Sequence, residues 1–93
     1  MTGEHIEAIL KQASAKADKD GFLALPDGGL VTVYVSSQGA GLTVSRVEAV
    51  RIDGEIVYAR TAKKELYAVI RTDVFALAVE GGGGQPVRRA GFS

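Results

Sequence analysis

Cysteine is absent from this 93-residue chain, and histidine occurs only once. Without cysteine there is no disulfide framework, no thiolate nucleophile and no cysteine-ligated metal site, a composition typical of cytoplasmic proteins. His5 has no second histidine with which to share a metal ion or to build a relay. We therefore expect neither a zinc site nor a Ser-His-Asp triad.

Net charge is absent as well. Eleven Lys and Arg residues balance eleven Asp and Glu residues, so the chain lacks the positive field that draws basic proteins to nucleic acid or anionic lipid. Its first residues are polar and acidic, unlike a secretory signal, and its apolar runs are far shorter than the ~20 residues of a membrane-spanning helix. The composition predicts a cytoplasmic protein without a membrane partner.

Phosphate-binding motifs are missing although glycine is frequent. Neither GxGxxG nor GxxxxGK[ST] occurs among the 12 glycines. The carboxylates of the central region stand beside lysine or arginine or in turns, where solvation explains them better than acid–base catalysis does. We expect no catalytic residues, no metal and no cofactor, and hence no enzymatic activity.

The rest of the chain is organised around residues 42–80, which contain four short β runs. Asp53 and Gly54 form the turn pair of a type I′ hairpin, and this turn would place Val50 opposite Val57. The alternation of apolar residues breaks close to Arg46, which predicts a β-bulge or a sharp bend there.

Residues 3–19 show apolar positions three and four apart and predict an amphipathic helix. Thr2 is suited to the N-cap, and Gly21 to the C-terminal stop. Residues 22–25 predict an edge strand, residues 30–35 a central strand, and residues 36–41 a flexible loop.

The last predicted strands carry apolar side chains on both faces, which favours a strongly bent sheet. We therefore predict an α+β fold in which an N-terminal amphipathic helix packs on a bent antiparallel five-stranded sheet or small β-barrel. Residues 1–80 would form this single small domain. Residues 81–93 contain four consecutive glycines and predict a disordered tail; whether its Arg88 and Arg89 are functional is left open.

The last strand predicts a surface for association. It has no internal charge or proline, the usual protections of an exposed edge strand. The predicted contact residues are Val74, Phe75, Ala76, Leu77 and Val79. Since the chain is small, neutral and without catalytic motifs, we predict a non-enzymatic interaction module that binds a protein partner or itself as a homo-oligomer.

A second prediction is nucleic-acid binding. Its candidate contacts are the cations near the predicted turns, Arg60, Lys63, Lys64 and Arg71. Nucleic-acid binding also needs stacking aromatics, whereas Tyr58 and Tyr67 are predicted to serve the core.

The layout of an N-terminal helix and five short strands over residues 3–80 resembles the Sm-like and SH3-like small β-barrels. In the segment Ile70-Arg71-Thr72-Asp73-Val74, Arg71 supplies the basic residue that the bacterial RNA-chaperone branch carries between its last two strands, without the histidine that follows there. The resemblance implies self-assembly into rings through paired edge strands, with RNA binding as the alternative. Function does not follow from such a fold alone.

Overall fold

The structure is a computed structural model that describes residues 1–26 and 28–80. One α-helix, seven β-strands and one short 3₁₀-helix make up this part of the chain. They are α1 (Gly3–Gln12), β1 (Lys16–Ala17), β2 (Leu23–Ala24), β3 (Leu30–Ser37), β4 (Ala40–Asp53), β5 (Ile56–Thr61), β6 (Leu66–Ile70), the 3₁₀-helix (Arg71–Asp73) and β7 (Val74–Glu80). No helix in these residues has the length and apolar character needed to cross a membrane. The predicted tail, residues 81–93, lies outside the described residues.

The helix begins where the sequence predicts and ends earlier. The Thr2 side chain accepts a hydrogen bond from the backbone N–H of His5 at 3.1 Å, which confirms the N-cap. On the inner face, Ile6 and Leu10 are buried. The end predicted at residue 19 is wrong, because Ser14 has a φ of +70° and turns the chain out of the helix.

All strands belong to one curled antiparallel sheet, which confirms the α+β prediction in outline. β3 lies between β4 and β7, and β5 lies between β4 and β6. The two-residue strands β1 and β2 extend the sheet beside β4. Within the described residues β6 and β7 do not pair with each other, so the sheet is a half-barrel.

The bulge that was predicted from the broken apolar alternation of β4 is confirmed. Val31 pairs with Val47 and Val33 pairs with Val44, so β4 carries one extra residue in this interval. Arg46 lies there with a φ of +58°, and a bulge of this kind bends the strand. The first half of β4 (residues 40–46) pairs with β3, whereas the second half (residues 47–53) pairs with β5.

Two turns differ from the prediction. Residues 36–41 do not form a flexible loop, because β3 and β4 continue to a two-residue turn at Gln38 and Gly39, both with positive φ. In the next hairpin Asp53 pairs with Ile56, so Gly54 and Glu55 are the turn residues. The predicted register was therefore wrong by two residues, and Val50 faces Ala59. A shift of two keeps every side chain on its face of the sheet.

The core lies inside the curl of the sheet and is closed at one side by α1. It consists mainly of valine, a residue that packs well on a pleated sheet. Its most deeply buried members are Ile6, Leu10, Val31, Val33, Val47, Val50, Val57 and Val74. The one buried polar residue among the described residues is Thr61, whose hydroxyl accepts a hydrogen bond from Glu65 N at 3.1 Å.

Candidate interaction surfaces

The β7 strand has one paired edge and one edge without a partner strand in the described residues. Its paired edge runs along β3 from Leu30–Glu80 to Val35–Val74. Of the five predicted contact residues, Val74 belongs to the core with 1% exposure, Phe75 is 62% exposed, and Ala76, Leu77 and Val79 are half-buried. What all five share is therefore a strand edge rather than one continuous apolar face.

Phe75 is the exposed anchor of this edge. Tyr34 pairs with Ala76 and Val35 with Val74, which leaves Phe75 as the extra residue of a bulge. Its ring lies 6.1 Å from the Tyr34 ring, centroid to centroid, at an interplanar angle of 39°. The bulge thus places a large apolar side chain on the outer surface, where a partner can cover it.

The turn at Gln38 and Gly39 determines which backbone groups of β7 bond to β3 and which face the free edge. A two-residue hairpin turn is flanked by a hydrogen-bonded pair, which here is Ser37 and Ala40. Because hydrogen-bonded pairs alternate along the hairpin, the backbone groups of odd-numbered β3 residues bond to β4, and those of even-numbered residues face β7. Tyr34 and Thr32 pair with Ala76 and Ala78. The backbone groups of Leu77 and Val79 therefore point to the free edge.

The β6 strand presents a second apolar edge. Leu66 is 59% exposed and Ile70 is 42% exposed. At the ends of this hairpin, Thr61 N donates to Glu65 O at 2.8 Å and Arg71 N donates to Glu55 O at 2.6 Å. Because bonding residues alternate along an antiparallel pair, the backbone groups of Leu66, Ala68 and Ile70 point away from β5.

Arg60 belongs to a cluster of side chains that contact one another within the chain. Its guanidinium lies 3.3 Å from Glu48 Oε2 and 3.9 Å from Asp18 Oδ2, and it covers the Phe22 ring at 4.9 Å. Asp18 also accepts hydrogen bonds from Phe22 N and Asp20 N. This cluster fastens the segment around β1 and β2 to the main sheet.

Lys64 belongs to the same cluster, with its Nζ 2.9 Å from Glu48 Oε2. The hydrogen bond from Lys64 lowers the pKa of the Glu48 carboxyl below its ordinary value of 4.5, and the charges of Lys64 and Arg60 act in the same direction against the opposing effect of burial. The carboxylate is therefore held in its ionised form by two cations.

Arg71 lies at the other end of the β5–β6 hairpin, away from Arg60. Its Nε donates to Gly54 O at 3.1 Å and its Nη1 to Met1 O at 3.4 Å. Lys63 is exposed in the turn between β5 and β6. The four predicted nucleic-acid contacts thus fall into two separate places, and three of them already contact groups of this chain.

A groove beside the first half of β4 was not anticipated from the sequence. Two cavities follow one another along it and form its two ends. The mainly apolar end is lined by Val35, Leu42, Val69 and Ile70, together with Asp73, and the polar end by Arg46, Lys63, Glu65 and Tyr67. Only the predicted bulge at Arg46 pointed to this place. The turn between β5 and β6 contacts the bulge, where Ala62 N donates to Arg46 O at 2.8 Å. No local sequence pattern predicts this contact, because the two residues are far apart in the chain.

The described residues offer little to a metal ion, since no three His, Cys, Asp or Glu side chains gather there in a suitable group. What they offer is unpaired strand edge with apolar side chains next to it. Comparison with models of protein families, with curated proteins and with solved structures gives no match for this chain.

Proposed function

We propose that this chain is a non-enzymatic interaction module that assembles with a second copy of itself through the free edge of β7. The observation that carries the proposal is an edge whose backbone groups at Leu77 and Val79 have no partner in the described residues, next to the exposed ring of Phe75. Such an edge is a template for pairing with another chain.

The composition of β7 supports the same function. Between Val74 and Val79 the strand has no charge and no proline, so it lacks the usual protections against pairing with a second strand. Two β7 strands meeting antiparallel would satisfy each other's backbone groups by one symmetric contact, as in most homodimers. The likeness in layout to Sm-like barrels, which form rings by pairing edge strands, favours assembly as well.

The experiment compares two substitutions at one position. Leu77→Pro removes the N–H that faces the free edge together with the leucine side chain, whereas Leu77→Ala removes the side chain alone. We expect wild type and Leu77→Ala to gain mass with concentration in sedimentation experiments, and Leu77→Pro to stay monomeric while folded. A wild type that is monomeric at every concentration, or a Leu77→Pro variant that associates normally, contradicts the proposal.

The variant Ala76→Pro tests which backbone N–H groups of β7 face β3 and which face the free edge. The N–H of Ala76 faces β3 rather than the free edge, so Ala76→Pro breaks a hydrogen bond within the monomer and is expected to cost about 1–3 kcal/mol. Thermal unfolding of the two proline variants measures the difference. Equal stability of Leu77→Pro and Ala76→Pro would show that the two edges of β7 are assigned wrongly.

Nucleic-acid binding by an Sm-like barrel is the weaker proposal. A phosphate group approaching Arg60 or Lys64 competes with Glu48, and one approaching Arg71 competes with the carbonyl of Gly54. Binding of a single-stranded RNA that falls steeply with salt and is lost in Lys63→Gln would favour it over self-assembly.

A further inference from the structure

The first half of β4 has a free edge of its own, separate from β7. β3 occupies one side of residues 40–46, and no described strand pairs with the other side. Because Ser37 and Ala40 form the hydrogen-bonded pair next to the turn, the backbone groups of Gly41 and Thr43 point away from β3. They face the groove that separates this half of β4 from β6.

The wide end of the groove is mainly apolar, although Ser37 and Asp73 also line it, and it measures about 270 Å³. Buried Val35 and Val69 form its floor, and the half-exposed side chains of Leu42 and Ile70 form its walls. A volume below that of most small-molecule pockets suits one or two apolar side chains better than a cofactor.

The narrow end measures about 140 Å³ and is charged. It brings together Arg46 and Lys63, two cations, with one anion, Glu65. Tyr67 Oη lies 3.5 Å from Glu65 Oε1 on the same side of the groove. The net charge of these groups is positive, so this end suits a carboxylate.

Arg46 is held in place by its backbone. A non-glycine residue with a φ of +58° is uncommon and is retained only where the surroundings fix it. Here the Arg46 carbonyl accepts a hydrogen bond from Ala62 N at 2.8 Å, which ties the bulge to the turn that carries Lys63. The two cations are thus positioned by the fold, although their side chains lie in different strands and turns.

We propose that this groove binds an extended peptide that adds to the free edge of β4, with an apolar side chain in the wide end and a carboxylate at Arg46 and Lys63. Leu42 and Arg46 are four positions apart, at most about 13 Å along the strand because the bulge at Arg46 interrupts its regular rise. The apolar residue and the carboxylate of the peptide are therefore also about four residues apart. The proposal goes beyond self-assembly, since it uses neither β7 nor a second copy of the chain.

Charge and backbone together identify a peptide as the occupant. The positive end attracts a carboxylate, and the edge at Gly41 and Thr43 offers the alternating donors and acceptors that only another polypeptide matches, the mode known as β-augmentation. A nucleic acid would satisfy the cations and leave both this edge and the apolar end uncovered.

We assign the carboxylate to an acidic side chain of the peptide, and two synthetic probes test this assignment against a peptide C-terminus. The first is acetyl-Glu-Ser-Thr-Ser-Leu-Thr-amide, and the second is acetyl-Thr-Leu-Ser-Thr-Ser-Val with a free C-terminus. Their controls replace Glu by Gln in the first and amidate the C-terminus of the second. Titrations of the full chain followed by NMR are expected to shift the amide signals of residues 40–46 and 65–70 with the first probe, and its uncharged control is expected to bind at least about fivefold more weakly. Binding of the second probe alone would overturn the assignment to an acidic side chain.

Variants of opposite sign test the charged end. Lys63→Gln and Arg46→Asn are each expected to weaken binding of the charged probe by about fivefold. Asparagine is chosen at position 46 because it tolerates a positive φ. Glu65→Gln is expected to strengthen it. Thr43→Pro, which removes a groove-facing N–H, is expected to abolish binding in a folded protein, whereas Leu77→Pro on β7 leaves it unchanged.

Several results would overturn the inference. They are the absence of shifts at residues 40–46 with either probe at millimolar concentration, shifts confined to β7, and equal affinity of wild type and Lys63→Gln for the charged probe. Displacement of the peptide by an oligouridine that shifts the same signals more strongly would assign the groove to nucleic acid instead.

Discussion

The two halves of β4 belong to one strand and have different surroundings. In the second half, Ala49 and Val50 have partners on both sides, β2 on one and β5 on the other. In the first half, Thr43 has a partner only on the β3 side within the described residues. The change occurs at Arg46, where the strand bends.

The difference shows how a short chain keeps part of a strand available. The second half is fixed from both edges and carries the deeply buried Val47 and Val50. On the other side of the bulge, the first half still pairs with β3, but its outer edge does not meet β5. A single bulged residue thus separates a part with buried side chains from a part whose outer edge has no partner strand among the described residues.

Proline substitutions in the two halves of β4 test this difference and have the largest expected effect. Ala49→Pro removes a backbone donor from a strand that has partners on both sides and is expected to cost about 1–3 kcal/mol, a large share of the stability of a small domain. Thr43→Pro removes a donor that faces the groove and is expected to cost about 1 kcal/mol or less. Urea unfolding of both variants measures the difference. Similar losses of stability would mean that the outer edge of residues 40–46 is covered.

The turn that joins the second half of β4 to β5 is the next test. Gly54 has a φ of +62° and no atom within 4 Å of an added Cβ, so the cost of a substitution lies in the backbone alone. Gly54→Val is expected to cost about 1–2 kcal/mol and to lower the midpoint of thermal unfolding by several degrees. Gly54→Asn, which tolerates this conformation, is the control and is expected to lose less. Equal midpoints for both variants would contradict the assigned turn.

The smallest effect concerns the ionised Glu48, which lies in the second half of β4 and contacts Arg60 and Lys64. Its pKa in the folded protein is lowered below 4.5, chiefly by the hydrogen bond from Lys64, so folding favours the ionised form. Its contribution to stability is complete above pH 4.5 and is lost as the pH falls through the lowered pKa. Because the contact is partly exposed, we expect Glu48→Gln to cost about 1 kcal/mol or less at pH 7.

Chemical unfolding at a series of pH values checks this dependence. The stability difference between wild type and Glu48→Gln should shrink as the pH falls below about 4.5. The same change at Glu55, whose side chain is exposed in a turn, is the control. A difference that stays constant into the acid range would show that Glu48 acts through packing and not through its charge.

Local chemistry in the sequence predicts much of this fold. Thr2 fixes the start of the helix because its hydroxyl accepts a backbone donor of the first turn. The bend at Arg46 is predicted because the apolar alternation fails there. By contrast, the end of the helix depends on the left-handed backbone of Ser14, and neither serine nor its neighbours signal that conformation. The hairpin register was wrong because Asp53 was assigned to the turn, whereas Gly54 alone supplies the positive φ.

The candidate site was less predictable, since it depends on contacts between distant parts of the chain. The cations Arg60 and Lys64 look available in the sequence, and only the folded sheet places Glu48 and Asp18 beside them. Likewise, nothing local relates Arg46 to Lys63. The apolar character of β7 was visible from the sequence, but the burial of Val74 and the exposure of Phe75 depend on a bulge.

The pairing of β3 with β7 has a consequence for the order of folding. Leu30 pairs with Glu80, 50 positions further along the chain, whereas β3 and β4 are joined by a two-residue turn. Closing the long loop costs more entropy than closing the short one, so the β3–β4 hairpin is expected to form early and β7 to join late. Until then β3 offers an open place to the β7 strand of any chain nearby. Refolding at high concentration should therefore favour exchange of β7 between copies, a domain swap made possible by the late arrival of one strand.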